Sequence, residues 1–154
     1  MELDAFGKRL RAAREKSGKS AEEIAQSVGI SVPAYYDLET FDDELTTSLP
    51  IQDVAQLFKL LGIQPAIFFH AAPVPDPMTV DVFVEKIVEY LKTRQMSVEI
   101  FEDLVGWDIE PLLNEPEKIL SYDIDALREI SSEVGIEWLS LLQAISIASK
   151  PDLK

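Results

Sequence analysis

The stretch SAEEIAQSVGISVPAYYDLET, residues 20–40, starts two helices with a stop between them, and that arrangement leaves few folds open. Ser20 followed three residues later by Glu23 is the capping-box pattern, in which each side chain satisfies the other residue's backbone N–H. Ile24, Ala25 and Val28 then fall on the inner face of one short helix. Gly29 ends it, because glycine takes a positive φ without steric cost. Ser31 caps the next helix, and Pro33 lies in its first turn, where a missing N–H does no harm. Tyr35 and Leu38 face inward there, so two short helices meet at a tight turn.

Helical spacing extends to both sides. FGKRLRAAREKSG places Phe6, Leu10 and Ala13 on one face and ends at Gly18. After the polar loop TFDDELTTS, LPIQDVAQLFKLLGI carries Ile51, Val54, Leu57, Phe58 and Leu61 as a fourth amphipathic helix. Ile67, Phe68 and Phe69 belong to a short fifth. AAPVPDP, with three prolines in seven residues, then breaks any helix and reads as a stiff linker.

The pattern returns beyond the linker. A shift of 77 lays Phe6, Leu10, Ser20, Glu22, Ile24, Val28 and Gly29 over Phe83, Ile87, Ser97, Glu99, Phe101, Val105 and Gly106. A shift of 73 lays Val54, Leu57, Leu61 and Gly62 over Leu127, Ile130, Val134 and Gly135. The sequence therefore predicts an all-α protein: two five-helix units in tandem, residues 1–70 and 79–154, joined by the proline-rich 71–78, the second unit degenerate. EWLSLLQAISIASK has apolar residues enough to pack across both units or against a second chain.

No cysteine is present, so disulfides and thiolate chemistry are excluded. No apolar run approaches the roughly 18–20 residues a membrane span needs, and MELDAFGKRL lacks the apolar core of a signal peptide. A cytoplasmic soluble protein is expected. No phosphate loop, nucleophile elbow or metal-ligand spacing appears, so no enzyme activity, catalytic residue, metal or cofactor is expected. His70, among phenylalanines and alanines, reads as a helix end. Trp107 and Trp138 read as core residues, with an interface anchor as the alternative.

At SAEEIAQSVGIS the first unit resembles the helix-turn-helix domain of lambda-repressor and Cro-type regulators, the XRE family, over roughly residues 5–69. Ala25, Gly29, Tyr35 and Leu38 occupy the family's small, turn and apolar anchor positions, and Arg14 and Glu39 stand where the family commonly pairs an arginine with a glutamate. The resemblance implies that each unit is lambda-repressor-like. It also implies a DNA-binding transcriptional regulator whose third helix enters the major groove while the cap of helix two holds phosphates. Carried over, the reading positions are Val32, Pro33, Tyr36 and Asp37. Lys8, Arg11, Lys19, Ser20 and Ser31 complete the DNA-binding set, and a homodimer would span half-sites roughly 34 Å apart.

The chain departs from that pattern in charge. Its net charge is −14. Residues 1–70 hold 7 basic and 11 acidic residues, residues 71–154 hold 7 and 17. No reading position is an arginine, asparagine or glutamine able to make a bidentate base contact. The loop after helix three carries Asp42, Asp43 and Glu44. Six cations, Lys8, Arg9, Arg11, Arg14, Lys16 and Lys19, crowd helix one and its exit, and screening beyond roughly 8 Å lets such a patch act locally. In the second unit Glu102 replaces Ala25, and DIEPLLNEP replaces the reading helix. The other reading is an acidic protein-interaction module of antitoxin, immunity-protein or DNA-mimic type, which keeps the fold without DNA and clamps a basic protein partner.

Overall fold

Local capping fixes most of the helix boundaries. A computed structural model describes residues 5–148 of the 154, with side chains through residue 146. The first half contains α1 (Phe6–Ser17), α2 (Ala21–Val28), α3 (Val32–Thr40), α4 (Glu44–Ser48), α5 (Ile51–Leu61) and α6 (Pro65–Phe68). The second contains α7 (Val80–Arg94), α8 (Val98–Val105), α9 (Glu110–Asn114), a 3-10 helix (Pro116–Ser121), α10 (Ile124–Val134) and α11 (Trp138–Ala148). The protein is all-α. Among the described residues the one extended pairing is an isolated antiparallel bridge between Pro50 and Asp123. No helix among them is long and apolar enough to cross a membrane.

The polar loop expected over residues 40–49 is a correction. It contains α4, so the first half has six helices where five were read. Leu45 and Leu49 are buried and Thr46 lies with them. Burying two leucines at about 1.5–3 kcal/mol each outweighs the weak helix preference of ELTTS. Thr46, Thr47 and Ser48 direct their hydroxyls to the carbonyls of Asp43, Asp43 and Glu44, satisfying backbone that a loop would leave to water.

One apolar cluster runs through both halves, from Phe6 and Leu10 through Tyr35, Phe58, Phe83 and Phe101 to Leu142. α11 packs on α5 and α6 as well as on α10, so it spans both halves. Trp138 meets the edge of Phe69 with ring centroids 5.1 Å apart. The Arg128 guanidinium lies over Trp138, Phe6 and Phe69 at 5.5, 5.9 and 6.0 Å, joining the halves by cation–π contact. Trp107, by contrast, is exposed. Residues 72–79 form no helix, and among them the Met78 N–H donates to the Ser140 carbonyl at 3.0 Å.

Candidate nucleic-acid interface

α2 and α3 meet at Gly29, whose φ of 87° admits only a residue at ease in the left-handed region. Ala25, Val28, Tyr35 and Leu38 are buried where α2 packs on α3 and α5 and α3 packs on α1, which fixes the crossing. Ser20 Oγ accepts from the Glu23 N–H at 3.1 Å while a Glu23 carboxylate oxygen accepts from the Ser20 N–H at 2.8 Å. That backbone donor holds the Glu23 carboxyl below its ordinary range. Ser31 Oγ accepts from the Ala34 N–H at 3.1 Å. Both serines are exposed, and each hydroxyl proton remains available to a phosphate oxygen.

The expected reading positions sit together on the first turns of α3. Pro33 and Asp37 are exposed, Tyr36 is 45% exposed, and Val32 is half-buried against the core. The Tyr36 ring and the buried Tyr35 ring meet edge to face with centroids 6.4 Å apart.

The six cations divide. Arg14 makes a bidentate pair with Glu39, Nε to Oε2 at 2.6 Å and Nη2 to Oε1 at 3.1 Å. Tyr35 adds an O–H donor to the same carboxylate at 2.6 Å. The Glu39 bond raises the Arg14 pKa, burial followed by Glu39 raises that of Tyr35, and the donors hold Glu39 below its ordinary range although burial alone pushes it up. This network ties α1 to α3. Arg9 turns the other way: its Nη1 donates to the Phe68 carbonyl at 2.5 Å, and its guanidinium lies over the Phe6 and Phe68 rings. Lys16, seven residues on, shares that flank of α1.

Gly7 and Arg14 mark the flank of α1 that faces α3. Arg11 falls between them and close to that side. It is exposed and pairs with Glu15 at 3.2 Å, a surface contact worth well under 1 kcal/mol and easily exchanged for a phosphate. Lys8 lies one turn before Arg11 and is exposed; Lys19, at the start of the α1–α2 connection, is half-exposed.

Two carboxylates have unexpected partners. Asp42 Oδ1 accepts from the Gly7 N–H at 3.0 Å, capping the start of α1 from 35 residues away. A methyl group on Gly7 would stand 2.5 Å from the Glu39 carbonyl oxygen, so only glycine lets α1 approach the end of α3 this closely. A glycine in the first turn of an amphipathic, highly charged helical run was the one sequence signal of this contact. Glu102, where the first half has Ala25, accepts from the Ile109 and Glu110 N–H groups at 2.8 and 3.0 Å and so holds the start of α9.

Residues 5–66 match a family described as a helix-turn-helix domain, in agreement with the geometry of α2, Gly29 and α3. No curated protein and no solved structure matches the chain.

Proposed function

We propose that this chain is a transcriptional regulator whose first unit, of lambda-repressor type, holds duplex DNA with the start of α3 in the major groove. The observation that carries the reading is the exposed first turn of α3, bearing Ser31, Pro33 and Tyr36, set against a capped α2 by a tight glycine turn. In this docking Ser20 and Ser31 donate hydroxyl protons to phosphates, and Lys8, Arg11 and Lys19 neutralise backbone charge. Val32 meets a thymine methyl, Tyr36 a base edge or phosphate, and Asp37 accepts from a cytosine amino group. Without a bidentate Arg, Asn or Gln, discrimination is modest, since each such pair is worth about 1–3 kcal/mol. The net negative charge of both halves is tolerated because groups more than a Debye length (roughly 8 Å) from the duplex are largely screened.

Selection from random duplex DNA at about 50 mM salt, repeated at higher salt, tests this. An enriched sequence should be retained, with a log–log slope near −0.9 per phosphate contacted, and Arg11→Glu should abolish retention. A chain that retains no DNA at the low salt is not a DNA-binding regulator.

A second reading has its own support. Tyr36 and Phe41, 45% and 52% exposed, lie near Asp37 and Asp43 along α3 and its exit, and exposed aromatics edged by carboxylates suit a basic protein partner. Binding of such a partner with no DNA retention would favour it.

A further inference from the structure

The two halves meet through equivalent positions. Adding 77 to the bounds of α2, 21–28, gives 98–105, the bounds of α8; adding 73 to those of α5, 51–61, gives 124–134, the bounds of α10. Ser20 and Ser97 cap α2 and α8, and Gly62 and Gly135 end α5 and α10. The same shift of 73 carries Pro50 onto Asp123, and these two residues face each other in the antiparallel bridge, with the Ile51 N–H donating to the Tyr122 carbonyl at 2.8 Å. Part of the packing is reciprocal as well: α4 lies on α10, and the 3-10 helix, which follows α9 as α4 follows α3, lies on α5, whereas the contact of α11 with α5 is not matched by a comparable one of the shorter α6 with α10. Equivalent residues meeting head to head, with i on j and j on i, is the signature of a two-fold, isologous interface. Here both sides belong to one chain.

The two sides differ where a reading head would be. α3 has nine residues, α9 five. At the positions of Glu23, Ser27 and Ile30, plus 77, stand Ile100, Leu104 and Trp107, all exposed. A carboxylate, a hydroxyl and one isoleucine on α2 and its exit have been replaced by three exposed apolar side chains on α8 and its exit, beside Asp103, Asp108 and Glu110.

Resting on the DNA-binding reading above, we infer that this chain is a dimer folded into one molecule, with one working head: it binds DNA as a monomer and reads a single, non-palindromic half-site. The face a second copy would need for a two-fold pairing is already covered by the chain's own second half. This replaces the homodimer on paired half-sites that the family resemblance implied.

The test uses the full chain. The selected DNA motif is inspected for inverted symmetry, and the masses of the protein alone and of its complex with that DNA are measured by light scattering. One chain per site and a motif without inverted symmetry are expected. Two copies of the site placed a helical turn apart should raise apparent affinity by no more than the statistical factor of about two, because no contact between bound chains adds to it. A dimer at micromolar concentration, two chains on an inverted repeat, or a gain above about tenfold from the second site would overturn the inference and leave DNA binding intact. If no DNA is retained, the DNA-binding reading itself fails, and the half-site claim falls with it. That result is told apart from the others by the missing bound fraction.

Discussion

Replacing Arg14 with methionine should expose how much of the first unit depends on one ion pair. Arg14→Met keeps most of the unbranched stem but removes both guanidinium bonds to Glu39. The Glu39 side chain, only 7% exposed, is then left with the Tyr35 hydroxyl as its charge-stabilising donor. Removing one member of a buried pair costs about 3–5 kcal/mol, and the 18% exposure of Arg14 puts this case at the lower end, about 3 kcal/mol. That is a large share of a typical stability of about 5–15 kcal/mol. The pH dependence gives the sign. In the parent, Glu39 sits below its ordinary pKa, so its contribution is present above an unfolded value of about 4.3 and is lost as pH falls through the depressed folded one. In the variant burial prevails and the folded pKa rises above the unfolded one. The penalty is therefore full at pH 7 and shrinks as pH falls through that raised value and Glu39 takes up a proton. Urea unfolding of Arg14→Met, Glu39→Gln and the double variant at pH 7 and pH 4.5 measures this. The double variant should cost about 1–3 kcal/mol less than the sum of the singles. A loss below about 1 kcal/mol at pH 7, or full additivity, would refute the reasoning.

Gly7→Ala sets helix propensity against close approach: propensity favours alanine by up to about 1 kcal/mol, whereas a methyl 2.5 Å from the Glu39 carbonyl and 3.0 Å from Asp42 Oδ1 overpacks by about 1–3 kcal/mol. Net destabilisation in urea is expected, and a variant as stable as the parent would show that α1 and α3 separate without cost. Glu102→Ala should lower stability by about 1–2 kcal/mol through loss of the α9 cap while changing DNA affinity less than about twofold; unchanged stability would remove that role. Ser20→Ala should cost about 1 kcal/mol of stability and weaken DNA binding, and a filter-binding curve identical to the parent's would take Ser20 out of the interface.

Much of the fold was legible in residue patterns. The capping box at Ser20, the cap at Ser31, the stop at Gly29 and the inner faces of α2 and α5 follow from contacts within four residues, which a sequence window contains. α4 was not, because TFDDELTTS is locally polar and turns helical only when Leu45 and Leu49 reach the core. Reading positions on the start of α3 were legible too, since their exposure follows from the helical period once Tyr35 and Leu38 face inward.

The run of cations near the amino terminus marks the other limit. Its composition is plain in the sequence, but which of its members face solvent is not. The Arg14–Glu39 pair, 25 residues apart, was foreshadowed by the family resemblance alone, and nothing in the residue pattern placed Arg9 on the Phe68 carbonyl 59 residues away or turned Asp42 back 35 residues to cap α1. The sequence by itself determined the helices, their ends and the turn between α2 and α3, because those depend on neighbours along the chain. Which charges are held inside the protein, and which are left for a partner, was decided only by the tertiary structure, because a charged side chain's partner is set by what the fold brings within a few ångströms of it.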